Sequence, residues 1–111
     1  MRRLWLAGGW CLVGAIVWLS LTPRPPAIDV EQGDKLGHLA AYGALMLWFC
    51  QAYVRTRTRA AYAAGFIAMG IALEFVQRWL GYRSFEVADM VANTAGVGVG
   101  WSVALMIRIL R

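Results

Sequence analysis

The sequence predicts an all-α protein, a four-helix transmembrane bundle with both termini in the cytoplasm. The first observation is composition, since 60% of the 111 residues are hydrophobic and only 15% are charged, which leaves too few polar side chains to cover a soluble core. The second is the presence of four long apolar runs separated by short polar segments. The third is that these runs lack the apolar and polar alternation of a membrane β-barrel. Helices are the remaining way to satisfy backbone hydrogen bonds in lipid.

Each run is close to the ~20 residues that a helix needs to cross ~30 Å of hydrocarbon. The predicted helices, which form a single domain over residues 1–111, are 4–21, 36–54, 60–80 and 87–109. The first run follows Met1, Arg2 and Arg3, a start that is also typical of a cleaved signal peptide. However, a tryptophan-containing run of eighteen residues exceeds the usual apolar part of such a peptide, so we expect it to remain as a helix.

The distribution of charge predicts the orientation. One side of the predicted bundle carries seven arginines and no acidic residue, namely Arg2, Arg3, Arg55, Arg57, Arg59, Arg108 and Arg111. The other side carries four basic residues and all six acidic ones. Short arginine-rich flanks stay in the cytoplasm, so we expect a multi-pass protein of the cell inner membrane. The tract at 55–59 is then a topology determinant, and we expect no nucleic-acid partner.

Polar side chains from three predicted helices share one depth near the outer face. Within each helix they are three or four residues apart, which places them on one face. Charged groups inside a membrane usually face the bundle interior and pair with one another, so we expect Glu74 to pair with Arg78, Lys35 or His38. The candidate catalytic residues are His38, Glu74 and Asp89, and the candidate ligand-binding residues are Asp34, Lys35, Tyr42, Gln77, Arg78, Arg83 and Asn93.

Single members of this set also have ordinary structural interpretations. Asp34 is a suitable N-cap for the second helix, and Asn93 is a typical interhelical hydrogen-bonding residue. Gly96 and Gly100 have the spacing of a small-residue packing seam. Together, however, the polar groups exceed what capping and packing require, which favours a pocket. The two cysteines lie in apolar runs and no paired-histidine motif occurs, so we expect neither a metal nor another cofactor.

Three motifs in order resemble those of the VanZ-like family of small bacterial integral membrane proteins. They are D-K-x-x-H-x-x-x-Y from Asp34 to Tyr42, E-x-x-Q from Glu74 to Gln77, and R-S-x-x-x-x-D-x-x-x-N-x-x-G-x-x-x-G from Arg83 to Gly100. The resemblance implies an integral membrane protein. The founding member of the family is associated with low-level resistance to the glycopeptide teicoplanin, and glycopeptides act on cell-wall precursors outside the membrane. A resistance effect would therefore arise on the outward face.

These observations lead to one preferred function and two alternatives. The preferred function is to recognise or modify an anionic cell-envelope or lipid-linked ligand, so that the partner is a membrane lipid or a cell-envelope precursor. Basic side chains would hold the anion, while His38, Glu74 and Asp89 would orient it or transfer protons. The alternatives are a small proton-coupled transporter and a structural membrane protein without catalysis. The sequence leaves open whether the protein is an enzyme and what its oligomeric state is.

Overall fold

The structure, a computed structural model, contains four helices. It describes residues 2–21, 33–80 and 87–107, with the side chains of 33–35 and 87–89 excepted. The helices are α1 (Arg2–Leu21), α2 (Gly33–Ala52), α3 (Thr56–Leu80) and α4 (Val87–Met106). No strand occurs in these three segments, so the predicted all-α class is confirmed.

The helix bounds differ from the predicted ones at several ends: α2 ends at Ala52 and α4 at Met106 rather than at 54 and 109, and polar residues extend two helices at their starts. The apolar run places the start of the second helix at residue 36 and that of the third at residue 60, whereas α2 begins at Gly33 and α3 at Thr56. Polar residues at these ends join the helix without adding apolar surface, and an apolar run therefore marks the buried part of a helix rather than its ends. A connection of three residues, 53–55, joins α2 to α3, which makes them antiparallel neighbours.

The four helices run alternately up and down, as three contacts between helix ends show. The indole of Trp5, at the start of α1, hydrogen-bonds the carbonyl of Trp48 near the end of α2. The ends of α1 and α3 meet where Gln77 donates to the carbonyl of Ser20. The starts of α2 and α4 meet at a hydrogen bond between His38 and Asn93. The end of the bundle that contains His38, Asn93 and Gln77 is called the polar end. The opposite end, which contains Arg55 and Arg57, is called the arginine end.

The core is built around α2, which contacts each of the other helices. Leu45, Met46 and Phe49 of α2 are almost completely buried, and Phe66 of α3 and Val97 of α4 pack into the same cluster. Helix α1 contributes little, because Gly9 is its only fully buried residue. The bundle is thus centred on one close pair, α2 and α4, with α3 packed more loosely against both and α1 against α2 and α3.

Glycines allow α2 and α4 to make the closest helix contact in the bundle. A Cβ atom on Gly96 would overlap the carbonyl oxygen of Leu39 and lie 3.1 Å from the nitrogen of Gly43. A Cβ atom on Gly100 would overlap the carbonyl oxygen of Gly43 and lie 3.0 Å from its carbonyl carbon. The small-residue seam predicted at Gly96 and Gly100 is therefore confirmed, and its partner is Gly43 of the parallel helix α2.

Two tryptophans join α1 to α2 at the arginine end. The indole Nε1 of Trp5 donates to the carbonyl oxygen of Trp48 at 2.7 Å, and the indole of Trp48 donates to the carbonyl oxygen of Trp5 at 2.6 Å. Their rings are stacked with centroids 3.8 Å apart. The exchange satisfies both indole donors inside the protein, and it fixes α1 on a helix against which it otherwise buries little surface.

Arg59 caps the end of α2 from the first turn of α3. Its guanidinium donates from Nε to the carbonyl oxygen of Tyr53 at 2.7 Å, and from Nη2 to that of Cys50 at 2.7 Å. These carbonyls lie at the end of α2, where no following turn of helix supplies a donor. Arg59 is only 4% exposed, whereas Arg55 and Arg57 are exposed. The arginine tract therefore includes a buried structural residue as well as surface charge.

Two of the four helices are long and apolar enough to cross a membrane by length and composition, namely α1 and α3. Within the described residues, α4 has a shorter apolar stretch, Met90–Met106. The sequence predicts four spans, and the difference arises partly because Asp34, Lys35 and His38 lower the hydropathy of the first turns of α2. Helix composition alone thus gives weaker support for membrane insertion than the apolar runs suggest.

Candidate functional site

The polar end brings together side chains from α2, α3 and α4. Helix α2 supplies His38 and Tyr42, α3 supplies Glu74 and Gln77, and α4 supplies Asn93. Tyr42, Glu74, Gln77 and Asn93 are each no more than 3% exposed. A polar side chain is buried at this level only when other polar groups satisfy it, so these residues form an internal cluster rather than a solvated surface.

His38 and Asn93 link α2 to α4. The Nδ1 atom of His38 lies 2.9 Å from the Oδ1 atom of Asn93. Since an amide Oδ1 only accepts hydrogen bonds, Nδ1 of His38 is the donor in this pair. The hydrogen bond thus ties the imidazole to α4.

Gly70 provides the space that Asn93 occupies against α3. A Cβ atom at Gly70 would lie 2.8 Å from Nδ2 of Asn93 and 3.3 Å from its Cβ atom. The amide of Asn93 is therefore held between the imidazole on one helix and a bare stretch of backbone on another. This packing fixes the amide, and hence the ring orientation of His38.

Glu74 is the buried acid of the cluster, at 2% exposed. It lies one turn after Gly70 on α3, and its carboxylate is close enough to Tyr42 for the two to interact electrostatically. Tyr42 in turn follows His38 by one turn of α2. A phenol can donate a hydrogen bond to a carboxylate, so Tyr42 is a polar neighbour of Glu74 that charge alone does not suggest. The pairing of Glu74 with Arg78, Lys35 or His38 stays a prediction.

Gln77 and Arg78 have different surroundings although they are adjacent. Gln77 is buried, and its Nε2 donates to the carbonyl oxygen of Ser20 at 2.6 Å, so it caps the last turn of α1. Arg78 is exposed in the last turn of α3, where a positive charge is favoured by the helix dipole. Of the two predicted ligand-binding residues, Arg78 is thus the exposed one, while the side chain of Gln77 is bound to the end of α1; the ligand-binding role of both stays a prediction.

Four other predicted site residues are only partly described, or not at all. Asp34 and Lys35 lie in the first turn of α2 and Asp89 in the first turn of α4, but their side chains are outside the described part of the structure. Arg83 lies outside the described residues. Among the side chains that are described, no group of three or more His, Cys, Asp or Glu residues could hold a metal ion.

The arrangement is suited to moving or sharing a proton beside a polar ligand. It offers the buried carboxylate of Glu74, the buried phenol of Tyr42 and the half-buried imidazole of His38. Desolvation of this kind strengthens electrostatic interactions. These groups provide a general acid or base next to a hydrogen-bond donor.

Two residues of the site are not evident from the motif. Gly70 is one of many glycines in the sequence, and its spacing of four from Glu74 is the signal that could have marked it. Ser20 contributes only the backbone carbonyl that Gln77 binds, so the identity of its side chain does not indicate its place in the site. Backbone contributions of this kind depend on which helices are neighbours, which requires the three-dimensional structure.

A comparison with protein-family models gives a match to VanZ/LLP1 over residues 9–109. This range covers nearly the whole chain and includes α2, α3 and α4, which supply the side chains of the polar end. The chain belongs to the VanZ/LLP1 family. The predicted family assignment is thus confirmed, and the three motifs at the polar end are part of the VanZ/LLP1 region.

One relative of this VanZ/LLP1 protein is an uncharacterized protein from Schizosaccharomyces pombe. The two are 35% identical over 88 residues, which cover 77% of this chain and 52% of the S. pombe protein. The chain therefore matches about half the length of this relative. The likeness extends to a yeast, so it is not confined to bacterial proteins. No solved structure matches the chain.

Proposed function

We propose that this VanZ/LLP1 protein crosses the cell inner membrane four times, with both termini in the cytoplasm, and that its polar end binds an anionic group of a lipid-linked or cell-envelope molecule. Glu74 and His38 then orient that group or exchange protons with it. The observation that carries the proposal is the burial of Glu74 beside Tyr42, at the end of the bundle where His38 and Asn93 join α2 to α4.

The outer surface of the bundle supports insertion in a membrane. Large apolar side chains are more than half exposed on all four helices, including Leu4, Trp18, Leu36, Trp79, Val91, Leu105 and Met106. A soluble monomer rarely leaves so much apolar surface in contact with water. The exposed hydroxyls of α4 are satisfied within the helix, since Thr94 donates to the carbonyl oxygen of Met90 at 2.9 Å and Ser102 to that of Gly98 at 2.8 Å. Such back-bonding lets Ser and Thr face lipid.

The charges support an orientation with the polar end outward. Arg2, Arg3, Arg55 and Arg57 are all exposed at the arginine end, and arginine-rich flanks remain in the cytoplasm. Trp18 and Trp79 are exposed near the polar end, where indoles favour the interface between lipid and water. The polar end would then lie near the external headgroups, which is also where a glycopeptide-related ligand would be found.

The depth of Glu74 favours a binding site in the outer leaflet over a proton-coupled carrier. Helix α3 covers residues 56–80, so Glu74 lies six residues from its midpoint, a rise of about 9 Å. A carrier needs its central acid near the midplane, where both sides of the membrane can reach it. Arg78 is one turn further out and, together with Lys35 of the first motif and Arg83 of the third, would supply positive charge for the anion.

The binding part of the proposal is tested with a polyprenyl phosphate and the corresponding neutral polyprenol, added to the purified full chain in a neutral detergent. We expect the phosphate to raise the thermal unfolding midpoint and the polyprenol to have little effect. Arg78→Gln should remove most of this stabilisation, whereas Arg55→Gln, a matched change at the arginine end, should keep it. Equal effects of the two lipids on the wild-type chain would contradict recognition of an anion.

The chemical part is tested with Glu74→Gln, which keeps the shape of the side chain but removes its charge and replaces one acceptor oxygen with a donor NH₂ group. We expect this variant to remain helical by circular dichroism and to lose any teicoplanin tolerance that the wild-type chain confers on a susceptible bacterium. Tolerance equal to that of the wild type, at equal protein levels, would exclude a role for the carboxylate. The link to teicoplanin is a prediction from the family resemblance, and this measurement decides it.

A further inference from the structure

We propose a second ligand site, distinct from the polar end: the groove between α1 and α3 binds an acyl chain of an anionic glycerophospholipid, whose headgroup lies at Arg3 and Arg57. The lipid comes from the leaflet that faces the arginine end. This inference depends on the membrane-spanning arrangement proposed above but not on the chemistry at Glu74.

The groove has the size and lining of a site for a hydrocarbon chain. Its volume is about 360 Å³, and its walls include Trp10 and Val13 from α1 and Ala61, Gly65 and Met69 from α3. This volume is within the usual range for small-molecule sites, which are mostly apolar. A Cβ atom at Gly65 would meet no other atom within 4 Å. Gly65 therefore leaves open space in the groove, in contrast to the glycines that admit a neighbouring helix.

Two exposed arginines lie where the groove approaches the arginine end. Arg57 precedes Ala61, a residue of the groove wall, by four residues, so the two are neighbours on one side of α3. Arg3 precedes Trp10 by seven residues, or two turns, so it shares a face of α1 with the groove. Both arginines are exposed. A guanidinium pair at the mouth of an apolar groove is complementary to a phosphate attached to a hydrocarbon chain.

The charges also distinguish a lipid from a second copy of the chain. Two copies in the same membrane share one orientation, so side-by-side association through this groove would bring their arginine ends together. Like charges at that end would oppose the contact. An anionic lipid headgroup is instead attracted to the arginines. The acyl chain of the lipid would extend from Arg57 towards Met69, which corresponds to a helix rise of about 18 Å.

The experiment measures lipid retained by the full chain in neutral detergent, using native mass spectrometry after addition of equal amounts of phosphatidylglycerol and phosphatidylcholine with identical acyl chains. We expect the wild-type chain to retain phosphatidylglycerol about tenfold more than phosphatidylcholine. Gly65→Leu fills the groove and should reduce retention of both lipids about tenfold, since the loss of about two buried methylene groups is sufficient for this change. Gly98→Leu is the matched control and should have no effect, because a Cβ atom there also meets nothing within 4 Å.

The arginine part is tested with the double variant Arg3→Gln and Arg57→Gln. We expect the preference for phosphatidylglycerol to fall towards one while phosphatidylcholine is retained as before. Ala61→Phe fills the same groove from an exposed position and replaces Gly65→Leu should that variant fail to keep the wild-type circular dichroism. Gly65→Leu should still be stabilised by polyprenyl phosphate as the wild-type chain is, so failure at the groove is separable from failure at the polar end.

Three results would overturn the proposal. The first is wild-type retention of phosphatidylglycerol in folded variants with a filled groove. The second is equal retention of the two lipids by the wild-type chain. The third is a dimer mass that disappears in Gly65→Leu without any dependence on lipid, which would identify a second copy as the occupant.

Discussion

Alanine at Gly100 should destabilise the bundle, whereas alanine at Gly98, two residues away on the same helix, should not. The added atom is identical in the two variants, but its surroundings differ. At Gly98 a Cβ atom meets nothing within 4 Å, while at Gly100 it would overlap the carbonyl oxygen of Gly43 and lie 3.0 Å from the carbonyl carbon. The comparison thus isolates the contact between α2 and α4.

The size of the effect follows from two opposing contributions. Alanine is more favourable than glycine in a helix interior by up to about 1 kcal/mol, and only this contribution applies at Gly98. Overpacking costs about 1–3 kcal/mol, and the upper end applies at Gly100 because the obstacle is backbone, which cannot change rotamer. We therefore expect a net loss of about 2 kcal/mol for Gly100→Ala and a gain of about 0–1 kcal/mol for Gly98→Ala.

The measurement is equilibrium unfolding of the full chain in mixed micelles, with the fraction of sodium dodecyl sulfate as denaturant and near-ultraviolet circular dichroism as the signal of tertiary packing. The midpoint should fall for Gly100→Ala and stay or rise for Gly98→Ala. Equal midpoints for the two variants would refute the reasoning, because the glycine seam between parallel helices would then not limit how closely α2 and α4 approach.

The remaining predictions concern the arginine cap and the space behind Asn93. Arg59→Ala should lower the free energy of unfolding by about 2–4 kcal/mol in the same assay, because two carbonyls at the end of α2 lose charge-assisted hydrogen bonds. Arg57→Ala, at an exposed position, should lower it by less than about 0.5 kcal/mol. Similar losses of stability in both variants would contradict the capping role of Arg59. Gly70→Ala should displace the amide of Asn93 and so change the ring-nitrogen chemical shifts of the single histidine in nuclear magnetic resonance spectra. Gly65→Ala should leave those shifts unchanged, and a spectrum insensitive to Gly70→Ala would show that the amide does not hold the imidazole.

The helices could be predicted from sequence because each contains one long apolar run. Length and composition determine how many helices there are, and the spacing of Gly96 and Gly100 identifies one packing surface. The partner of that surface was not predictable in the same way. Gly43 is on α2, and nothing in a single sequence specifies that α2 rather than α3 packs most closely on α4. Likewise, Arg59 looks like its neighbours in the tract until the turn at 53–55 places it over the end of α2.

The candidate site was predictable to a similar degree. The three- and four-residue spacings correctly placed His38, Tyr42, Glu74 and Asn93 at one end of the bundle. The polar neighbour of Glu74 was harder to predict, because charge complementarity considers only basic partners for an acid and so does not suggest the phenol of Tyr42. The pairing of Glu74 with a basic side chain stays a prediction. Gln77 illustrates the opposite case, since its hydrogen bond is to a backbone carbonyl, which any residue could provide.

The parallel pairing of α2 and α4 also bears on how the protein is made. Gly43 and Gly96 are separated by the whole of α3, so α2 cannot contact its closest neighbour until the ribosome has synthesised α3 and the first half of α4. During that interval α1 and α3 can associate with α2, but the surface around Gly43 has no helix packed against it. The closest helix pair of the bundle would therefore form after α3 has emerged.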